Sequence, residues 1–192
     1  MRLKTFLMSA VCSSFLIACQ AKDDEKSNRT VSGKYMGDAS WEEVPVSEAS
    51  IDLSYKFDYK FTGVQRRSLP HLRQEILVMK NGVLRLTEFY GYRSVSKRMR
   101  EDHFKRIFGS MDIVSKNADV DSWYIRNDGR IQWASFKIEQ RQCVAASRPL
   151  GERRGRGYAA AVTGFICGES NRDTEKVTNE AVRFFESIQM KR

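Results

Sequence analysis

The sequence predicts an α+β fold: an antiparallel sheet built from hairpins with two helices, one of them C-terminal. Three observations carry that expectation. Apolar and polar residues alternate strictly from Ile51 to Phe61, Asn-Gly and Asp-Gly pairs sit between apolar runs, and an amphipathic stretch lies near the end of the chain. With 192 residues, 41% hydrophobic and 30% charged, the composition is globular and leaves no room for two large catalytic lobes.

The alternation places Ile51, Leu53, Tyr55, Phe57, Tyr59 and Phe61 on one face and Asp52, Ser54, Lys56, Asp58 and Lys60 on the other, the period of a half-buried strand. After Pro70, the run 75–80 is expected to meet 83–92 across Asn81-Gly82, a pair suited to the two positive φ angles of a type I′ turn. Residues 96–108 are expected as a helix ended by Gly109, with Val95, Met99, His103 and Ile107 on its apolar stripe. A second hairpin joins 123–126 to 130–142, and a turn at Asp128-Gly129 would set Tyr124 opposite Trp133. The last helix is expected over 173–190, burying Val177, Ala181, Phe184, Phe185 and Ile188. A residue among 170–173 caps its start, and Lys191 and Arg192 suit its negative end.

Residues 1–18 have the layout of an export signal. Arg2 and Lys4 precede a mostly apolar stretch from Phe6 to Ile17, of about 12 residues where a spanning helix needs ~20. The sequence Leu16-Ile17-Ala18-Cys19 resembles a bacterial lipobox. The resemblance implies that Cys19 becomes the first mature residue and carries lipid, including palmitate. It implies a lipoprotein held firmly, because stable anchoring takes more than one chain. Gln20 is not the Asp that retains such proteins on the inner membrane, so the expected location is the outer membrane, facing the periplasm. Cys12 is a poor acceptor, since Val11 precedes it and Ser9 stands where the pattern has Leu. Residues 19–40, rich in charge and poor in apolar side chains, are expected as a flexible tether, and 41–192 as a single α+β domain.

In an exported chain the oxidising compartment favours a disulfide between Cys143 and Cys167. The midpoint of the two is Gly155, inside the glycine- and arginine-rich turn 151–157. An antiparallel hairpin centred there brings the cysteines face to face.

The inventory for chemistry is thin. His71 and His103 do not make a three-histidine zinc site or a HExxH motif, and no GxSxG elbow accompanies His103 and Asp102. The 151–157 loop lacks the GxxxxGK[ST] order of a phosphate cradle. Glu75 and Glu88 fall on strands, where a solvated face explains them. No cofactor, metal or catalytic residue is expected; the enzyme alternative is a small envelope hydrolase with an unrecognised site. Charge says more. Residues 20–61 hold six basic and nine acidic side chains, whereas 62–192 hold 25 basic against 15 acidic. The basic groups cluster at Arg66, Arg67 and Arg73; at Arg93, Lys97, Arg98, Arg100, Lys105 and Arg106; and at Arg148, Arg153, Arg154 and Arg156. Arg98, Arg100 and the last four are candidates for holding a polyanion: anionic lipid, lipopolysaccharide or wall polymer. No nucleic-acid motif accompanies them. The function expected is therefore noncatalytic, either binding or assembly of an envelope component, with a protein partner or an anionic polymer.

Overall fold

Every residue from Gln142 to Ser147 and from Ala160 to Cys167 is buried, so these runs lack the alternation of a strand with one wet face. They are the centre of an antiparallel sheet covered on both sides. The computed structural model describes residues 40–53, 61–91, 93–153 and 157–191.

Its strands in chain order are β1 (Glu42–Val44), β2 (Ile51–Leu53), β3 (Phe61–Leu69), β4 (Leu72–Met79) and β5 (Gly82–Phe89). Helices α1 (Glu101–Gly109) and α2 (Asp112–Ser115) lead to β6 (Arg126–Asp128), β7 (Ile131–Ile138), β8 (Arg141–Arg153) and β9 (Gly157–Cys167). Helix α3 (Thr174–Ser187) runs directly into β10 (Ile188–Met190). Eight strands pair antiparallel in the order β1-β3-β4-β5-β9-β8-β7-β6, and β2 pairs with β10 in a separate ribbon. The class is α+β, dominated by sheet, with three helices rather than two among the described residues.

Two apolar layers sandwich the sheet. On one face Leu84, Leu86, Val144, Ala146, Val162 and Ile166 pack against Ala181, Phe184, Phe185 and Ile188. On the other, Ala134, Phe136, Ala145 and Phe165 meet Phe104, Phe108, Met111, Val114 and Trp123. Here the rings form a chain, with Trp123 stacked 4.7 Å from Phe136 and Phe136 edge-on to Phe165. Alanines in β8 and β9 leave room for large rings to approach the sheet.

The cysteine hairpin has the register its midpoint requires. Cys143 pairs with Cys167, and the match continues to Arg153 and Gly157; the sulfurs are bonded at 2.02 Å. Both cysteines are buried in the α1 layer. In α3 the expected apolar face is buried, and Asp173 caps the start by accepting the Lys176 N–H at 2.7 Å.

Other expectations are corrected. The alternating run is not one strand: Ile51–Leu53 joins β10, Phe61 opens β3, and 54–60 lie outside the described residues. The first hairpin turns at Lys80-Asn81, with Met79 opposite Gly82 and without positive φ angles. Gly82 is required instead because an added Cβ would lie 2.2 Å from the Phe165 carbonyl oxygen. The second hairpin turns at Gly129-Arg130, so Trp133 faces Arg126, whose guanidinium lies 4.9 Å above its ring, while Tyr124 is exposed. The expected strand 130–142 breaks at Glu139-Gln140, where Glu139 takes φ +54°. Helix α1 begins at Glu101, five residues late, and buries Phe104 and Phe108 in place of Met99 and His103. The last helix stops at Ser187, and Lys191 donates to the Ser47 carbonyl instead of serving the helix end; Arg192 lies outside the described residues. Glu75 is fully buried, not solvated: it accepts from the Ser50 N–H (2.8 Å), the Ser50 hydroxyl (2.6 Å) and Arg66 Nε (2.8 Å), clasping the segment before β2 to the sheet.

Replacing Cys143 and Cys167 together with Ser is expected to remove about 3.5 kcal/mol of stability, the chain-entropy value for a loop of about 25 residues. Urea unfolding of both forms measures it, and a change under 1 kcal/mol would contradict this role.

Candidate functional site

The segment between β5 and α1 is neither helix nor strand, yet it is held at three places. At its start Arg153 donates to the carbonyls of Phe89 (2.9 Å), Gly91 (2.8 Å) and Arg93 (3.1 Å). In the middle, Val95 and Tyr158 exchange both backbone hydrogen bonds at 2.9 Å. At its end the buried Gln132 amide accepts from the Met99 N–H at 2.5 Å and donates to the Met99 carbonyl at 2.9 Å. Gln132 also donates to Asn127 at 2.9 Å, which fixes its orientation. Gly157 allows the crossing: at φ +81° an added Cβ would stand 2.6 Å from the Val95 carbonyl oxygen. The strap is thus fastened from the tip of the cysteine hairpin to β7.

Arg93, Lys97, Arg98 and Arg100 are exposed along it. Arg100 pairs with Asp102 at 3.2 Å, and among the described residues no ion pair joins Arg93, Lys97 or Arg98 to a carboxylate. Arg130, at the β6–β7 turn, lies 3.4 Å from Glu152. The Val95–Tyr158 bridge therefore sets the second basic cluster of the sequence beside the hairpin that carries the third.

The predicted site residues divide by task. Arg98 and Arg100 are on the strap surface. Arg153 turns inward to the three strap carbonyls, and Arg148 donates to the carbonyls of Phe185, at 2.7 Å, and Glu186, closing the C-terminus of α3. Burial lowers the Arg148 guanidinium from its ordinary value; the Glu186 carboxylate opposes that shift and Arg130 adds to it. Arg154 and Arg156 lie outside the described residues, as does Cys19. In the first cluster Arg66 is bound to Glu75, Arg73 to Glu88 at 2.6 Å, and Arg67 to Gln74 with Trp41 against its guanidinium.

His103 is exposed, not on the buried stripe of α1, and Arg106 lies 3.0 Å from its Nδ1. Partial burial and then Arg106 lower its pKa, with Asp102 opposing. His71 is exposed on the β3–β4 turn. Among the described residues no group of three His, Cys, Asp or Glu side chains gathers as a metal site. An open recess on α3 is lined by Asp173, Glu175, Lys176, Asn179, Glu180 and Arg183, charges of both signs. The chain matches no family model, no curated protein and no solved structure.

Sequence reasoning missed the strap and its anchor Gln132. One signal pointed to them: Glu101 and Asp102 suit the positive end of a helix, whereas the cations of 97–100 do not.

Arg148→Ala should cost about 2 kcal/mol, the scale of hydrogen bonds to a charged donor, with Arg148→Lys recovering part. Chemical denaturation with amide exchange at the end of α3 measures it; unchanged exchange there would contradict the cap. His103 should titrate below the ordinary 6.5 by NMR, and Arg106→Ala should raise its midpoint. Because the folded state holds that proton less tightly than the unfolded chain, His103 lowers stability as pH falls through 6.5 toward its folded value. A downward shift in Arg106→Ala would refute the assignment.

Proposed function

We propose that this chain is an envelope lipoprotein, anchored through lipid on Cys19 in the outer membrane and facing the periplasm. Its domain has a noncatalytic role in binding or assembly, exercised through the strap on an anionic envelope component. The strap carries this reading. Between Phe89 and Arg100 the sequence has four cations and no carboxylate. A backbone fastened at three places presents them with little ordering left to lose on binding. Arg98 and Arg100 belong to the contact surface, while Arg148 and Arg153 contribute field and hold the scaffold. Guanidinium groups suit phosphate and carboxylate, which favours a polyanion over a neutral ligand.

The test is binding of the purified protein to soluble polyphosphate at low and high salt, beside a Lys97→Ala, Arg98→Ala, Arg100→Ala variant. The variant should bind on the order of tenfold more weakly at low salt and lose salt sensitivity. Equal binding by the two proteins overturns the polyanion reading. Mass spectrometry of the mature N-terminus checks the anchor separately: an unmodified residue 19 overturns it.

A further inference from the structure

Building on the polyanion reading above, we infer that the strap's ligand is the phosphate surface of the bilayer that holds the chain. The domain then rests with the strap end of its sheet on the membrane.

The first support is where the described chain begins. β1 enters beside β3 with Glu42 opposite Arg66, and Trp41 lies against the Arg67 guanidinium at 4.5 Å. The register then runs from Arg67 to Gln74, Thr87 and Ala161, three residues from the Tyr158 that binds the strap. Residue 40 and the strap therefore share one end of the sheet, four strand spacings apart, or about 19 Å at ~4.8 Å per strand. The described chain thus begins at the end of the sheet that bears the cations.

The second support is the mixed chemistry of that end. Tyr90 is 41% exposed, and its N–H bonds the His71 carbonyl at 2.9 Å. Beside it, Leu69, Leu72 and Phe89 stand in register across three strands and are half-buried. An exposed amphipathic side chain next in sequence to half-buried apolar residues, at the same end of the sheet as the strap's Arg and Lys, fits a headgroup layer, where an aromatic ring sits at the level of the esters and cations meet phosphate. A soluble acidic polymer needs the cations but makes no use of the aromatic side chain. Carboxylates at this end are mostly held by arginines or lysines: Glu88 by Arg73, Glu152 by Arg130, Asp102 by Arg100 and Glu101 by Lys105, while Asp128 and Glu42 stand on the edge strands.

The experiment follows amide hydrogen exchange of residues 90–100 in the lipidated full chain, reconstituted in zwitterionic vesicles with or without added phosphatidylglycerol. Exchange should slow on the order of tenfold in the anionic vesicles, and high salt or an Arg93→Ala, Lys97→Ala, Arg98→Ala variant should reverse this. Equal exchange in both vesicles overturns membrane docking. Adding soluble polyphosphate to the zwitterionic sample then separates the two readings. Protection by polyphosphate leaves a binding strap whose ligand is not the bilayer, and no protection removes the polyanion reading as well.

Discussion

From Cys143–Cys167 to Arg153–Gly157, β8 and β9 pair in one register, and both faces of that pair are covered by different partners. A slip of β8 by one residue would turn Val144 and Ala146 toward α1 and send Cys143 and Ala145 toward α3, and a slip of β9 would do the same to Val162, Ile166, Phe165 and Cys167. Neither layer would then pack. The disulfide holds one end of this register. At the other end Gly157 leaves space for the strap and Arg153 reaches its carbonyls. The basic surface is thus as well placed as the central hairpin is aligned, though its cations are exposed and make few contacts of their own.

Arginine serves two purposes in this molecule. Arg148 and Arg153 donate to backbone carbonyls at a helix end and at an irregular crossing. Arg93 and Arg98 face solvent. A planar donor fork suits both tasks, since a row of carbonyls and a phosphate offer it similar acceptors. Charge density along the chain locates arginines without dividing them, because their partners lie far away in sequence: Phe185 for Arg148, Phe89 for Arg153.

The parts legible in sequence were those set by local symmetry or by one buried face. The cysteine register followed from a midpoint, and the buried face of α3 from spacing, because an amphipathic helix needs no distant partner to show its period. The strap was hidden because the spacing of Val95, Met99 and His103 imitates a helical stripe, while the hydrogen bonds that make it a strap come from Tyr158, Gln132 and Arg153. The turn at Glu139-Gln140 has no glycine or asparagine to announce it. Gly82 sits next to a turn, but its reason is the β9 backbone more than 80 residues away in sequence. Glu75 followed the same rule: its burial depends on Arg66 and on Ser50, in a segment that gives no local sign of folding over β4.

The ribbon of β2 with β10 joins the beginning of the fold to its last described strand. Ile51 pairs with Met190, and the Lys191 N–H binds the Ser50 carbonyl at 2.9 Å. A ribosome makes residues 51–53 long before 188–191, so through most of synthesis β2 has no partner and one apolar layer stays open. The contact joins residues nearly the whole domain apart, the kind of pairing that slows folding most. Closure of this layer is thereby tied to the arrival of β10, and a chain still without β10 is distinguishable from one that has it by the apolar surface it exposes.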